Sequence, residues 1–295
     1  MLRRCPPPLI DRHAILERQP LPPAEPKLQV LSQLPPKRTS KPPLLFVHGG
    51  YVDAWCWSPF FLPWFAAHGW PAYALSLRGH GASGGHDTLF VASLDDYVAD
   101  VISIADSLPT PPVLIGHSMG AAIVERVAAT RRTRATALLA PVPPTGLIPM
   151  AARLASERPD YLLQMSRFDP MRLSSDVLDA LRPFYFSGTV NRKLLAEAMK
   201  HLNEESPRAL FDLSMRMPFP PPPERRSPVF VLGAEGDHIC SPAEVRATAR
   251  HHGVDAVIVP GLAHMLMLER GWQRAAKALA SWLVTLSPAV RERRG

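Results

Sequence analysis

Cysteine is scarce in this sequence. The 295 residues include three cysteines, Cys5, Cys56 and Cys240, and none of them forms a CxxC pair or another spacing typical of metal ligands. An odd number at unrelated positions argues against a disulfide framework and favours a reducing compartment. We expect each cysteine to be a small buried residue rather than a nucleophile.

Long apolar runs are also missing. No run approaches the roughly 18 residues that a membrane-spanning helix requires, so we expect no integral membrane segment. The N-terminal stretch MLRRCPPPLIDRH is interrupted by prolines and lacks the apolar core of a secretory signal. Together with the cysteine pattern, this predicts a cytoplasmic location.

Basic residues are present, but not in the arrangement that binds nucleic acid. The formal net charge is +7, yet the surplus lies at the chain ends and in short clusters. No long basic helix or repeat of basic and aromatic residues occurs, so we expect a solvated positive surface and no nucleic-acid partner. The sequence makes no prediction of oligomeric state.

Short apolar runs alternate with stretches of helical periodicity along most of the chain. This alternation predicts an α/β fold with a mostly parallel central sheet and helices on both faces. The predicted strands are Leu28–Leu34 (a possible edge strand), Leu44–Val47, Ala72–Leu77, Val113–Ile115, Ala137–Leu139, Val229–Leu232 and Val257–Val259. The predicted helices are Trp57–Ala67, Leu94–Leu108, Ala121–Thr130, Ala243–His251 and Trp272–Leu286.

Two segments depart from the alternation. Residues 1–27 are rich in proline and are predicted to form an extended N-terminal arm. Residues 145–225 contain no β-branched apolar run and are predicted to form a helical insertion between two strands, a cap or lid. The fold core is then made of residues 28–144 and 226–295. Helical spacing in the insertion is seen at Ala151–Arg158, Ser175–Leu181 and Arg192–Leu202.

One serine stands between two glycines where a predicted strand ends. The stretch Gly116-His117-Ser118-Met119-Gly120 matches G-x-S-x-G, with a strand before it and a helix after it. That context predicts a sharp turn that exposes the Ser118 hydroxyl at the carboxyl edge of the sheet. A serine hydroxyl is a weak nucleophile until a histidine, held by a carboxylate, takes its proton.

The acid and the base are expected late in the chain, because in this fold they follow the serine in that order. Asp237 comes after the strand at 229–232, and His264 comes after the strand at 257–259, so both are predicted to reach the edge that carries Ser118. Glu235 is the alternative acid. His251 and His252 lie on the preceding helix and are expected to face solvent.

An acyl-transfer site also needs donors for a developing oxyanion. The backbone N–H of Met119 is one predicted donor. The loop after Leu44–Val47 supplies the second, from Gly50 or, as the alternative, from Tyr51.

These motifs together resemble the α/β-hydrolase superfamily. They are FVHGGYVDAWCW, LSLRGHGAS, LIGHSMG, VLGAEGD and PGLAHMLMLE, and the resemblance covers roughly residues 28 to 286. It is closest to the esterases similar to lysophospholipases and monoacylglycerol lipases. The resemblance implies a serine hydrolase of carboxylic esters that forms an acyl-enzyme and uses no metal and no cofactor. His117, Arg78 and His80 also match family positions and are expected to be structural.

The composition of the insertion bears on the substrate. Adaptable apolar side chains are expected around an acyl or aromatic group, so we expect a small-molecule ester with an apolar, lipid-like part. The same side chains could instead form the core of the lid. They are Met150, Met165, Met171, Met199, Met215, Met217, Phe168, Phe184, Tyr185, Phe186 and Phe211.

Two other functional classes stay open. A non-hydrolytic enzyme, such as a cofactor-free lyase or a perhydrolase, would keep the same serine, histidine and aspartate. A binding protein that has lost catalysis is disfavoured, since such proteins usually lack a member of the triad and this chain has all three.

Overall fold

A computed structural model describes residues 26–169, 175–188, 190–215 and 227–286. The predicted N-terminal arm, apart from Pro26 and Lys27, lies outside the described residues, as do Met171 and Met217.

Seven strands form one sheet in the described part of the chain. They are β1 (Gln29–Gln33), β2 (Leu44–Val47), β3 (Ala72–Ser76), β4 (Val113–His117), β5 (Thr136–Leu139), β6 (Val229–Ala234) and β7 (Ala256–Val259). Their order in space is β1-β3-β2-β4-β5-β6-β7. The edge strand β1 runs antiparallel to β3, whereas the other neighbouring pairs are parallel. The predicted mostly parallel sheet is confirmed.

Helices cover both faces of this sheet. Those outside the stretch between β5 and β6 are α1 (Phe61–Ala67), α2 (Leu94–Ser107), α3 (Met119–Thr130), α9 (Pro242–His252) and α10 (Gln273–Thr285), with short 3₁₀ helices at Ala54–Trp57 and His86–Val91. Alternate residues of a strand point to opposite faces. Leu44 and Phe46 of β2 therefore pack in one core cluster with α1 and α10, and Leu45 and Val47 pack in a second cluster with α2, α3 and α9.

Five described helices lie between β5 and β6. They are α4 (Leu147–Glu157), α5 (Pro159–Met165), α6 (Ser175–Tyr185), α7 (Arg192–Met199) and α8 (Pro207–Met215). Sequence periodicity located α4, α6 and α7 with bounds that differ by up to four residues, and it missed α5 and α8. The division of the chain into a core and a lid stays a prediction.

Local sequence fixes the start of α9, close to the loop that carries Asp237. The Ser241 side chain accepts from Glu244 N, and the Glu244 carboxylate in turn accepts from Ser241 N at 2.8 Å. Pro242 occupies the first turn, where a missing N–H costs nothing. This capping box ends the loop at a defined residue. None of the described helices is both long and apolar enough to cross a membrane.

Close backbone packing joins β4 to α3. A Cβ atom on Gly116 would collide with the Gly120 carbonyl and the Ala121 Cα, and one on Gly120 would collide with the His48 carbonyl. These neighbours are backbone atoms, which cannot rotate away as a side chain can. The two glycines of the G-x-S-x-G motif are therefore required by packing.

The Gly116→Ala substitution tests this packing. We expect it to lower the free energy of unfolding by at least about 3 kcal/mol, the upper range for overpacking a core, since backbone must move. Urea unfolding followed by circular dichroism measures the change. Gly253→Asn is the control: Gly253 has a φ of 68° with open space around it, and asparagine tolerates that conformation. Equal losses in the two variants would contradict the packing account.

Candidate active site

Ser118 occupies a strained turn between β4 and α3. Its φ is 53° and its ψ is −117°, in a region that residues other than glycine rarely adopt. Its backbone N–H donates to the Leu139 carbonyl at 3.0 Å, which ties the turn to β5. Met119 is the first residue of α3, so its N–H has no partner within the helix and is free to bind an anion.

His264 and Asp237 form a buried hydrogen-bonded pair. The His264 Nδ1 lies 2.9 Å from Asp237 Oδ2, and the two residues are 4% and 3% exposed. The other carboxylate oxygen of Asp237 accepts from Ile239 N at 2.8 Å and Cys240 N at 2.9 Å. Because a carboxylate accepts, Nδ1 carries the proton and Nε2 is left as an acceptor. The alternative acid, Glu235, is exposed and accepts instead from Gly261 N at 3.3 Å.

Ser118 and His264 line the same cavity. The His117 Nε2 donates to the His264 carbonyl at 2.9 Å, which ties the serine turn to the histidine loop. Among the described residues, Ser118 Oγ makes no hydrogen bond to the His264 ring. Catalytic hydrogen bonds are often long or misaligned in the absence of substrate.

Cys240 belongs to this network as a buried thiol. Burial raises its pKa well above the ordinary value, and the negative charge of Asp237 adds to the rise. Ligand atoms of Asp237, Cys240 and His264 lie within 4.8 Å of one another, as in a metal site. However, the Asp237 oxygens are already engaged by His264 and two backbone N–H groups, and the thiol stays protonated. This donor set fits a hydrogen-bonded network better than a metal.

The loop after β2 packs directly on the serine turn. A Cβ atom on Gly49 would lie 3.0 Å from Ser118 Cβ, so the two backbones are in close contact. Gly50 and Tyr51 both border the cavity. Tyr51 N donates to the Glu205 carboxylate at 3.3 Å, so that N–H is already engaged. Of the two donors that the sequence left open, Gly50 is the one that the geometry favours.

The cavity above Ser118 contains about 940 Å³ of empty space, its open mouth included. Its walls come from the loops after β2, β4 and β7 and from helices between β5 and β6. They are mostly apolar, and the residues contributed by the segment between β5 and β6 are Phe168, Leu178, Leu181, Arg182, Tyr185, Phe186, Leu195, Ala198, Met199, His201 and Leu202.

The methionines and aromatics predicted to surround a substrate divide into two groups. Phe168, Tyr185, Phe186 and Met199 line the cavity. Met150, Met165 and Phe184 pack in the core cluster without lining the cavity, and Phe211 and Met215 are exposed. The segment between β5 and β6 therefore uses its apolar side chains both for its own packing and for the cavity wall.

A buried polar cluster beside the cavity was not predicted from the sequence. Glu205, in the loop between α7 and α8, accepts from Tyr97 Oη at 2.7 Å and lies 3.2 Å from His80 Nε2. Burial alone would lower the pKa of His80, but the Glu205 carboxylate, the Arg78 carbonyl and Asp53 together outweigh burial and raise it. Burial lowers the pKa of the neighbouring His48 to about 4, so that ring is neutral. A third ring, His201, pairs with Asp53 at 3.0 Å.

Two residues expected to be structural and two expected to face solvent are placed as follows. Arg78 pairs with Asp96 at 2.9 Å and Asp100 at 2.6 Å, and His80 Nδ1 lies 2.9 Å from the Arg78 carbonyl, as expected for a loop held by its own side chains. The prediction for His252 was wrong: its ring is buried against Glu125, with Nε2 2.6 Å from the carboxylate. His251, its neighbour on α9, is exposed as predicted.

Two curated relatives match short stretches of the chain. A chloroplastic protein of Arabidopsis thaliana that carries the name methylesterase 15 is 39% identical over 80 residues, which are 26% of this chain and 18% of that protein. Protein phosphatase methylesterase 1 of Mus musculus is 36% identical over 91 residues, which are 30% of this chain and 24% of that protein. The matched stretches cover less than a quarter of either relative.

Solved structures match much more of the chain at lower identity. A Mycobacterium tuberculosis protein named as a non-heme bromoperoxidase has a TM-score of 0.68 at 19% identity, covering 89% of this chain and 97% of that one. The monoacylglycerol lipase of Paleococcus ferrophilus has a TM-score of 0.61 at 22% identity, covering 88% and 100%. At such identities the likeness shows the fold. The sequence pattern of the alpha/beta hydrolase family matches residues 44–278, and the chain therefore belongs to that family.

Proposed function

We propose that this protein hydrolyses carboxylic esters through an acyl-enzyme formed on Ser118. In this proposal His264 is the general base and Asp237 orients it. The observation that carries the proposal is the 2.9 Å hydrogen bond between the buried residues Asp237 and His264, where His264 lines the same cavity as Ser118. The free Nε2 of His264 is the atom that would take the serine proton.

The first half of the reaction acylates the enzyme. Ser118 Oγ attacks the ester carbonyl carbon while its proton passes to His264 Nε2, and the buried Asp237 carboxylate stabilises the imidazolium that forms. The negative charge moves to the carbonyl oxygen, where the N–H groups of Met119 and Gly50 donate to it. When the tetrahedral intermediate collapses, the bond to the alcohol breaks and the leaving oxygen takes the proton from His264.

Water completes the cycle by the same steps. His264 removes a proton from water, the resulting hydroxide attacks the acyl carbon, and Ser118 leaves with that proton. Each oxyanion donor is typically worth about 3 kcal/mol of transition-state stabilisation, since it acts on charge that develops during reaction in a site with little water.

The apolar walls of the cavity suit a substrate whose bound part is an apolar acyl or lipid-like group. Leu178, Leu195 and Met199 present no charge to the cavity, and an apolar wall binds chain carbons by removing them from water. Two relatives named as methylesterases and a fold neighbour that is a monoacylglycerol lipase agree with ester cleavage. We place the substrate in the class of small esters with an apolar acyl chain.

Replacing Ser118 by alanine tests the nucleophile. We expect Ser118→Ala to lower kcat for p-nitrophenyl esters by at least about 10⁴-fold, because no other group can form the acyl-enzyme. The melting temperature should not fall, since the hydroxyl supports no packing. Ser107→Ala, at an exposed serine on α2, is the control and should keep full activity. Residual activity of Ser118→Ala near that of the native chain would overturn the proposal.

The apolar cavity predicts a dependence on acyl chain length. Burying one CH₂ is worth about 0.8 kcal/mol, so kcat/KM should rise by roughly 2- to 4-fold per methylene from acetate to hexanoate. Ala198→Phe, which adds a ring at the cavity wall, should reduce the rate for hexanoate more than for acetate. A profile that is flat or falls from acetate onward, in both the native chain and the variant, would contradict an acyl site in this cavity.

A further inference from the structure

Glu205 is a fully buried carboxylate that the proposed chemistry does not use. Its side chain is 0% exposed. Four groups lie within hydrogen-bond distance of it: Tyr97 Oη at 2.7 Å, Ser206 N at 2.8 Å, His80 Nε2 at 3.2 Å and Tyr51 N at 3.3 Å. Burying a carboxylate is costly unless hydrogen bonds and charge compensate for it. The surroundings of Glu205 supply both.

The loop that carries Glu205 holds the backbone of Tyr51 from both sides. Tyr51 has a φ of 65°, a left-handed conformation that is unfavourable for a residue with a side chain. Its N–H donates to Glu205 Oε2, and its carbonyl accepts from Asn203 N at 2.8 Å. The Asn203 side chain in turn accepts from Gly81 N at 2.9 Å. The segment Asn203–Glu205 therefore stabilises this strained peptide.

Glu205 also lies directly behind Gly50. A Cβ atom on Gly50 would be 3.4 Å from Glu205 Oε2, which is van der Waals contact. Because Tyr51 N is bound to Glu205 on this side, the peptide plane between Gly50 and Tyr51 has a fixed orientation. The Gly50 N–H belongs to the preceding peptide, which meets this plane at the Gly50 Cα. Because Gly49 is packed against Ser118 on the other side, Gly50 lies between two anchored peptides and its conformation is restricted.

We propose that Glu205 is a positioning residue for the oxyanion site: its carboxylate holds the Gly50–Tyr51 peptide so that Gly50 N–H faces the ester carbonyl oxygen. This inference rests on the proposed function. It assigns a role in the reaction to the loop between α7 and α8, which reaches the site from a distant part of the sequence.

The charge of Glu205 is compatible with this position. An uncompensated carboxylate behind an oxyanion site would oppose the negative charge that develops there. A protonated His80 offsets that charge, since its ring is 3.2 Å from Glu205 Oε2 and the two side chains are both fully buried. In that state the pair holds the peptide in place without adding net negative charge behind the site.

Two substitutions test the proposal, because one changes the length of the Glu205 side chain and the other removes its charge. Glu205→Asp keeps the charge but withdraws the carboxylate by one methylene, whereas Glu205→Gln keeps the reach and an acceptor oxygen for Tyr51 N. Glu204→Asp and Glu204→Gln are matched controls, since Glu204 is the exposed neighbour. Each protein is titrated with a fluorophosphonate to count reactive sites, and kcat and KM for p-nitrophenyl butyrate are then expressed per titrated site.

We expect Glu205→Asp to lower kcat per site by about 10- to 100-fold with KM changed by less than about 3-fold, because a misplaced donor weakens only the transition state. Glu205→Gln should stay within about 3-fold of the native kcat, and both Glu204 variants should match the native chain. A loss of folding alone would reduce the number of titrated sites and leave kcat per site unchanged.

Two results would overturn the positioning role. One is a Glu205→Asp protein with native kcat per site; the other is an equal loss in Glu205→Asp and Glu205→Gln, which would show that kcat falls with any change at this position and not specifically with the shortened side chain. Either result leaves the esterase proposal standing, because that proposal is tested separately, by the activity of Ser118→Ala and by whether the native chain hydrolyses esters.

Discussion

The turn at Ser118 is the constraint on which the rest of the site depends. A serine holds a φ of 53° there, and it can do so because Gly116 and Gly120 let α3 pack against β4 and β2 at backbone distance. Tight packing compensates for the strain and fixes the hydroxyl above the carboxyl edge of the sheet. The same packing brings the Gly49 loop into contact with Ser118, so the proposed nucleophile and the proposed anion donors are placed by one arrangement of backbone.

Buried imidazoles surround this turn, and their partners give each a different role. His48 is neutral, since Nδ1 donates to the Gly49 carbonyl at 2.8 Å, Nε2 accepts from Leu77 N at 3.0 Å, and burial lowers its pKa to about 4. Burial lowers the pKa of His117 well below its ordinary value too. His264 differs from both because it has a carboxylate partner and borders the cavity. That combination suits proton transfer, whereas the other two rings fix loops in place.

The sequence predicted the site residues whose position is set by the end of a strand. It could not predict residues whose burial depends on parts of the chain far away in sequence. Ser118, Asp237 and His264 each follow a predicted strand, and parallel strands carry such residues to one edge of the sheet. Glu205 lies in the polar stretch Asn203-Glu204-Glu205-Ser206, which has the composition of an exposed turn; its burial comes from Tyr51, His80 and Tyr97, more than 100 residues earlier. The prediction for His252 was wrong for the same reason, because its ring is buried against Glu125, which lies 127 residues earlier in the chain.

The central claim is that Ser118 is an activated nucleophile. Incubation with a fluorophosphonate, followed by intact-mass measurement and peptide mapping, tests it most directly. The account predicts one adduct per chain, located on Ser118, that disappears when His264 is replaced by alanine. An unmodified chain, or an adduct located on another residue, would contradict it.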